Sequence, residues 1–389
     1  MGLLDTQAEP RTKSFLRRYR AVLAVLGLSL AAVVITDPLG FMSGRTEGAR
    51  IRIVRVAAGL EYPWGLAFLQ NGDMLVTERP GRLRIIRGGK LDESWIPGVP
   101  QVVEKEQAGL MDIAIHPRFA ENGFIYLTYS KQGRGDTPAL LRARFDGNRL
   151  TDVHDIFIAD AWSNSGGNTG SRIVFGNDGM IYMSVGDRHV PRLAQDLTNH
   201  AGKILRLRDD GTVPDDNPFV GQSNVRPEIF TYGNRNPQGL TVDPRTGGLF
   251  ENEHGPRGGD EINFLQAGRN YGWPVITYGI NYNGSIITNE RERPGMEQPL
   301  VYWVPSIGPS GMAIYTGDRF PQWKGNLFVG ALAGTHLRRV VLDGLRVIHE
   351  ERLLRELNQR IRDVRQGPDG YLYVLNDSSY GEVLRIEPR

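Results

Sequence analysis

Six near-copies of one hairpin unit occupy the chain from residue 64 to residue 374, and this repetition constrains the fold more than any other feature. Each copy reads small residue, apolar run, glycine-containing turn, second apolar run. The turns are Asn71-Gly72, Asn122-Gly123, Asp178-Gly179, Gly247-Gly248, Gly325-Asn326 and Asp369-Gly370. The leading runs are residues 64–68, 109–115, 172–175, 239–242, 311–315 and 361–364. The trailing runs are 74–76, 125–127, 181–183, 249–250, 327–329 and 371–374. Apolar, β-branched and aromatic residues around Asn-Gly or Asp-Gly mark antiparallel hairpins. A further strand follows some copies, as at 205–207 and 383–386. A spacing of roughly 45–70 residues, with about four strands per unit, predicts β-propeller blades. One blade cannot bury both of its faces, so stacking supplies the core. The expected fold is all-β, a six-bladed β-propeller over residues 51–389. A large β-sandwich competes but leaves the repeated punctuation unexplained. Helical periodicity is scarce, with one short candidate at 350–357. The 48 glycines and 23 prolines suit a chain of many tight turns.

Residues 1–50 form a separate object. Arg11, Lys13, Arg17, Arg18 and Arg20 precede an apolar run at 21–36, which Asp37-Pro38 ends. A basic segment before such a run reads as an export signal or a short signal-anchor helix. No clean small-x-small cleavage site follows, which favours retention at the inner membrane with the remainder exported to the periplasm. A buried core helix is the alternative. The chain has no cysteine, which excludes disulfides, thiolate metal sites, Fe–S clusters and covalently attached haem. The 46 basic and 44 acidic residues leave a net charge of +2, without the basic field of a general nucleic-acid binder.

The chemistry lies beside the repeats. Gln107-Ala108-Gly109, residues 232–239, residues 253–263 with 270–274, and residues 359–364 form four clusters. Arg235, Arg360 and Arg362 read as guanidinium forks in loops that precede strands. Converging on one channel they would repel one another unless an anion sat between them. A lone arginine of this kind is as a rule simply solvated. Gln107, Asn236 and Tyr282 offer neutral hydrogen bonds to the same ligand. The glycine-rich run from Glu253 exposes carbonyls beside carboxylates, the oxygen set that Ca²⁺ prefers, with Gly255, Pro256 and Glu261 as the sharpest candidates. A turn with a capping acid explains the same spacing. The seven histidines form no H-x-H or H-x-x-x-H pair. No P-loop, Rossmann glycine fingerprint or G-x-S-x-G elbow occurs.

The segments Tyr-Gly-Asn-Arg-Asn-Pro-Gln-Gly (232–239), Glu-His-Gly-Pro-Arg-Gly-Gly-Asp-Glu-Ile-Asn (253–263), Asn-Tyr-Gly-Trp-Pro (270–274) and Gln-Arg-Ile-Arg-Asp-Val (359–364) resemble the soluble pyrroloquinoline quinone (PQQ) dependent aldose sugar dehydrogenases. Residues 202–207 and 215–219 resemble them too, and the similarity covers nearly all of 55–387. The resemblance implies a six-bladed propeller that oxidises aldose sugars to lactones by hydride transfer to PQQ, with electrons passed to an external acceptor. It implies that Arg235 and Asn236 contact PQQ and that Arg360 and Arg362 hold its carboxylates. Gln107 and Tyr282 would face the cofactor. The carbonyls of Gly255 and Pro256 would hold the Ca²⁺ on the quinone, and Glu261 and Tyr271 a second Ca²⁺. Arginines for three carboxylates and a cation on the quinone oxygen are what such a cofactor demands.

Two positions depart from the family pattern. Asn168 stands where the family has the histidine that takes the sugar's anomeric proton, and an amide is no general base. Ala333 stands where a cofactor-facing lysine is usual. His189 and Asp187 lie in a nearby repeat loop and could substitute for the missing base. Three readings follow: a PQQ-dependent sugar dehydrogenase, a PQQ- or sugar-binding propeller with little turnover, and a Ca²⁺-dependent lactonase-like hydrolase.

Overall fold

The inner strand of every blade opens with the same slip in pairing. The computed structural model describes residues 42–389, and the anchor segment expected at 21–36 lies outside them. Register breaks between Pro63 and Gly65, Leu110 and Ile113, Gly170 and Ile173, Pro237 and Gly239, Pro309 and Met312, and Ile361 and Asp363. A bulge frees a backbone amide and re-aims a side chain. Hydroxyls on the second strand take up three of these amides. Gly65 N donates to Thr77 Oγ1 at 2.9 Å, Asp112 N to Thr128 Oγ1 at 2.8 Å, and Arg172 N to Ser184 Oγ at 3.0 Å. All three hydroxyls donate onward to the next blade, Thr77 to Met111 O, Thr128 to Ser171 O at 2.7 Å and Ser184 to Pro237 O at 3.1 Å. The bulge thus couples adjacent blades through buried hydrogen bonds.

Five blades are four-stranded antiparallel sheets, ordered outward from the channel as in the chain. Their inner strands are Pro63–Phe68, Leu110–Ile115, Gly170–Phe175, Pro237–Val242 and Pro309–Ile314. The sixth sheet has five strands. Ile361–Gln366, Leu372–Asn376 and Gly381–Pro388 are joined at the outside by Arg50–Leu60 and Met42–Arg45. The first described strand therefore lies upstream of Ile51, where the sequence put the start of the folded part. The first and last described strands thus close the ring in one sheet. The six turn glycines, Gly72, Gly123, Gly179, Gly247, Gly325 and Gly370, all have φ between 64° and 86°, which explains the repeated Asn-Gly and Asp-Gly.

The apolar core is divided into six clusters, one at each blade–blade interface. Leu75, Leu83 and Ile85 pack on Leu110, Ile113 and Leu127, for example, and Phe320, Trp323 and Phe328 on Ile361, Val364 and Leu372. This is the stacking that the repeats predicted. Residues 350–357 are not a helix. They finish the outer strand Arg346–Leu353 and add a 3₁₀ turn, Arg355–Leu357. Pairing with His336–Asp343 overrides the local helical pattern.

The third residue of each inner strand is Gly65, Asp112, Arg172, Gly239, Gly311 or Asp363. The charged ones meet in the channel. Arg172 Nη1 lies 3.0 Å from both Asp112 and Asp363, and Arg365 bridges the same two acids at 2.7 and 2.9 Å. Gly65 and Gly311 make room for this plug. A Cβ on Gly311 would lie 2.1 Å from Asp363 Oδ1 and 2.7 Å from Asp363 Cα. Gly311→Ala is expected to cost about 1–3 kcal/mol through overpacking, read as a lower denaturant midpoint.

Candidate active site

All six inner strands start at one end of the ring, and the segments before them shape its mouth. Gln107 stands before Leu110, Asn168 before Gly170, Arg235 and Asn236 before Pro237, and Arg360 before Ile361. The return strand Leu249–Glu253 ends at the same mouth and feeds the loop through Gly255 and Pro256. A cavity of about 460 Å³ lies there, lined by Gln107, Gln238, His254, Gly255, Pro256, Arg257, Tyr282, Ala333, Arg360 and Arg362, among others. Its lining includes three arginines and no carboxylate. Two of the expected arginines share it, and Arg235 reaches the same loop.

The guanidiniums are held differently. Arg362 is the second residue of its strand, not a loop residue as the sequence suggested, and is buried. Its Nη1 donates to Gln238 Oε1 at 3.3 Å and its Nη2 to Asp377 at 3.4 Å, while its Nε has no partner. Arg360, half exposed, puts Nε and Nη2 on the same Asp377 oxygen at 2.9 and 2.8 Å. Burial would push the Asp377 carboxyl up, but the charges of Arg362 and Arg360 hold it below its ordinary value. Burial pulls the Arg362 guanidinium down, and Asp377 offsets part of that. One carboxylate thus serves two guanidiniums and leaves positive charge facing the cavity. Arg235 Nη1 donates only to carbonyls, His254 O at 3.0 Å and Gly255 O at 3.1 Å, beneath Tyr282 and beside Trp273. Arg257, exposed, forms no ion pair among the described residues.

Neutral groups complete the wall. Asn236 Nδ2 donates to Gln107 Oε1 at 3.2 Å. The His254 ring meets Pro309 O through Nε2 at 2.6 Å, and burial holds its pKa down at about 4. Nδ1 of this neutral ring therefore stays unprotonated. Asn168 turns elsewhere: Nδ2 donates to Asp187 Oδ1 at 2.8 Å, and Trp273 Nε1 occupies Asp187 Oδ2 at 2.8 Å. Asp377, Gln238, His254 and Arg257 were not singled out from the sequence. The last three sit inside the quoted motifs, whereas Asp377 carries no local signal at all.

Acids crowd behind the Gly255 loop. Glu253 and Glu261 face each other in register, and Glu251 is two residues before Glu253. Burial pushes Glu251 and Glu253 well up and Glu261 to about 7. Glu251 Oε2 has no partner, and Glu261 accepts from Asn263 at 3.0 Å. The Tyr271 hydroxyl is used within the protein, donating to Phe264 O at 2.7 Å and accepting from Gln266 N at 2.9 Å. Neither Glu261 nor Tyr271 lines the cavity. Among the described residues, no group of three or more His, Cys, Asp or Glu side chains is arranged to hold a metal ion.

Comparison with known proteins places this geometry in a family. The description "Glucose / Sorbosone dehydrogenase" matches residues 60–385. The chain is 44% identical over 337 residues to "Aldose sugar dehydrogenase YliI" of Escherichia coli (strain K12), covering 85% of this chain and 91% of that one. The crystal structure of the soluble aldose sugar dehydrogenase from Escherichia coli in the apo-form superposes with a TM-score of 0.85 at 43% identity, over 87% of this chain and 100% of that one. The PQQ-bound form of an aldose sugar dehydrogenase from Streptomyces coelicolor superposes with a TM-score of 0.73 at 26% identity, over 88% and 100%. With the propeller, the arginine-lined mouth and a match running through all six blades, the chain belongs to the Glucose / Sorbosone dehydrogenase family.

Proposed function

We propose that the protein oxidises cyclic aldose sugars to lactones with PQQ and passes the electrons to an external acceptor. The observation that carries this reading is the cavity lined by three arginines without a carboxylate. An anion with several carboxylates satisfies such a lining. PQQ is one, and when bound it supplies a two-electron acceptor. Arg360 and Arg362 hold its carboxylates, with Arg257 standing in for the lysine that Ala333 replaces. Gln107 and Asn236 orient the quinone end by neutral hydrogen bonds. The carbonyls of Gly255 and Pro256 offer a Ca²⁺ site of the kind hard cations take, and the unpartnered Oε2 of Glu251 favours a second cation nearby. The basic segment and apolar run at 21–36 support export, with the propeller on the periplasmic side of the inner membrane.

Asn168 favours a second reading, a propeller that binds PQQ but turns over slowly, because its amide is engaged by Asp187 and takes no proton. Reconstitution separates the two. Purified protein is titrated with PQQ in Ca²⁺, binding is followed by calorimetry, and glucose with a dye acceptor is then added. PQQ-dependent dye reduction supports the dehydrogenase, and binding without reduction supports the slow module. Arg362→Ala is expected to weaken PQQ binding about a hundredfold, since it removes one partner of a buried charge pair. Unchanged affinity would refute the assignment of this cavity to the cofactor.

A further inference from the structure

We infer that a second cavity at the mouth, on the far side of Arg360, seats the next ring of a reducing oligosaccharide whose end unit is oxidised in the first. The inference rests on the dehydrogenase reading above and names the class of sugar which that reading leaves open.

This cavity measures about 380 Å³, inside the usual span of small-molecule sites, about 300–1,000 Å³. Its walls come from the mouth end of the sixth sheet. Asn358 and Gln359 stand before strand Ile361–Gln366, Asp377 follows strand Leu372–Asn376, and Glu382 opens strand Gly381–Pro388. Arg360 lines both cavities. A second tie runs through Thr335, two residues beyond Ala333 of the first cavity. Its Oγ1 donates to Asn358 Oδ1 at 3.2 Å.

Charge distinguishes the two cavities. The first has three arginines and no carboxylate. In the second, Arg55 pairs with Glu382 at 2.6 Å and Arg360 with Asp377 at 2.8 Å. Two acids cancel two bases, so the lining selects neither an anion nor a cation. What it offers is hydrogen bonding. Asn358 and Gln359 each spend the side-chain carbonyl inside the protein, Gln359 Oε1 accepting from Asn376 Nδ2 at 3.1 Å, and keep the amide NH₂ to donate. All three guanidinium bonds to Asp377 land on Oδ2, and Oδ1 accepts none among the described residues. Amide donors beside a carboxylate acceptor match the neighbouring hydroxyls of a sugar ring. Tyr380, 70% exposed at the rim, offers a flat apolar face with a hydroxyl at its tip, which suits the C–H side of the same ring.

The walls are fixed before any ligand arrives. Asn376 is buried and bridges Gln359 to the Glu382 amide, which donates to its Oδ1 at 2.7 Å. Asp377 N donates to Arg360 O at 2.8 Å. The reaction supplies the direction. Only the reducing-end unit of an oligosaccharide carries an anomeric hydroxyl, so that unit alone is oxidised and its glycosidic neighbour lies outward of the first cavity. Binding energy from a ring that does not react raises kcat/KM for the longer sugar.

Two measurements test this. With PQQ and Ca²⁺ bound, kcat/KM for maltose or cellobiose is expected to exceed that for glucose about tenfold, and Tyr380→Ala is expected to erase the difference. A ratio of one in the unsubstituted protein, or a ratio that Tyr380→Ala does not move, overturns the subsite and leaves the dehydrogenase reading intact. In PQQ-free protein, methyl maltoside, which has no free anomeric hydroxyl, is expected to shift the NMR resonances of the Tyr380 ring. Asn358→Ala is expected to weaken that binding about fivefold through one lost hydrogen bond. Unmoved Tyr380 resonances overturn the subsite whether or not the protein uses PQQ. Absence of PQQ-dependent dye reduction with every sugar, glucose included, sinks the dehydrogenase reading itself.

Discussion

Asn168→His is expected to raise turnover about tenfold to a hundredfold with PQQ and Ca²⁺ bound, and to add a titrating limb to kcat near neutral pH. The structure is prepared for it. Residue 168 has φ 45°, a left-handed conformation that histidine tolerates better than most residues. Asp187 is buried, is fixed by Trp273 Nε1 at 2.8 Å, and already accepts from the side chain at position 168. An imidazole there would put one N–H on Asp187 and leave its other nitrogen free to accept a proton. A positioned base contributes typically about 10²–10⁴-fold. Steady-state kinetics against pH decides the matter. A kcat unchanged across pH 5–9 (about the imidazole range) would show that Asp187 cannot orient a base for this site.

Asp363→Ala is expected to destabilise the protein by about 3–5 kcal/mol, the largest effect of any single change outside the mouth. Asp112, Arg172, Asp363 and Arg365 form a neutral quartet of two acids and two bases in the channel. Arg172 is 1% exposed and stacks 4.2 Å over the Trp64 ring. Asp363 Oδ2 also accepts Leu66 N at 3.0 Å, and Asp112 Oδ2 accepts Ile173 N at 2.9 Å, so the quartet ties together blades that are not neighbours. Removing Asp363 leaves the buried Arg172 and the part-buried Arg365 on one carboxylate. Removing Arg365 as well restores the balance. The double variant Asp363→Ala with Arg365→Met is therefore expected to be more stable than the sum of the single losses allows. Urea unfolding of the four proteins gives the coupling directly, and additive losses would show that the quartet does not act as a unit.

The blades were legible in the sequence because their turns demand glycine at positive φ, a requirement that few residues meet. The channel plug was not. Its six equivalent positions hold Gly65, Asp112, Arg172, Gly239, Gly311 and Asp363, residues that share a place but no chemistry, so no repeat of residue type betrays them. Residues 350–357 misled because an outer strand is chosen by its partner, here His336–Asp343, and not by local periodicity. At the mouth, Gln107, Gly255, Pro256, Arg360 and Arg362 from the quoted motifs line one cavity, together with Tyr282. The motifs could not reveal that Asp377 would be shared between two arginines, because that depends on a contact between separate segments of the chain.

The seam that joins Arg50–Leu60 to Gly381–Pro388 dictates an order of events during biosynthesis. Apart from Met42–Arg45, the strand Arg50–Leu60 has no partner until nearly the whole polypeptide has emerged. Ile51 and Ile53, buried in the finished protein, must wait in a bare strand edge through five blades of growth. Completion is thus a single late, long-range event. A nascent chain halted before residue 381 would remain an open arc with a sticky rim, in need of a holding chaperone until its last eight-residue strand arrives.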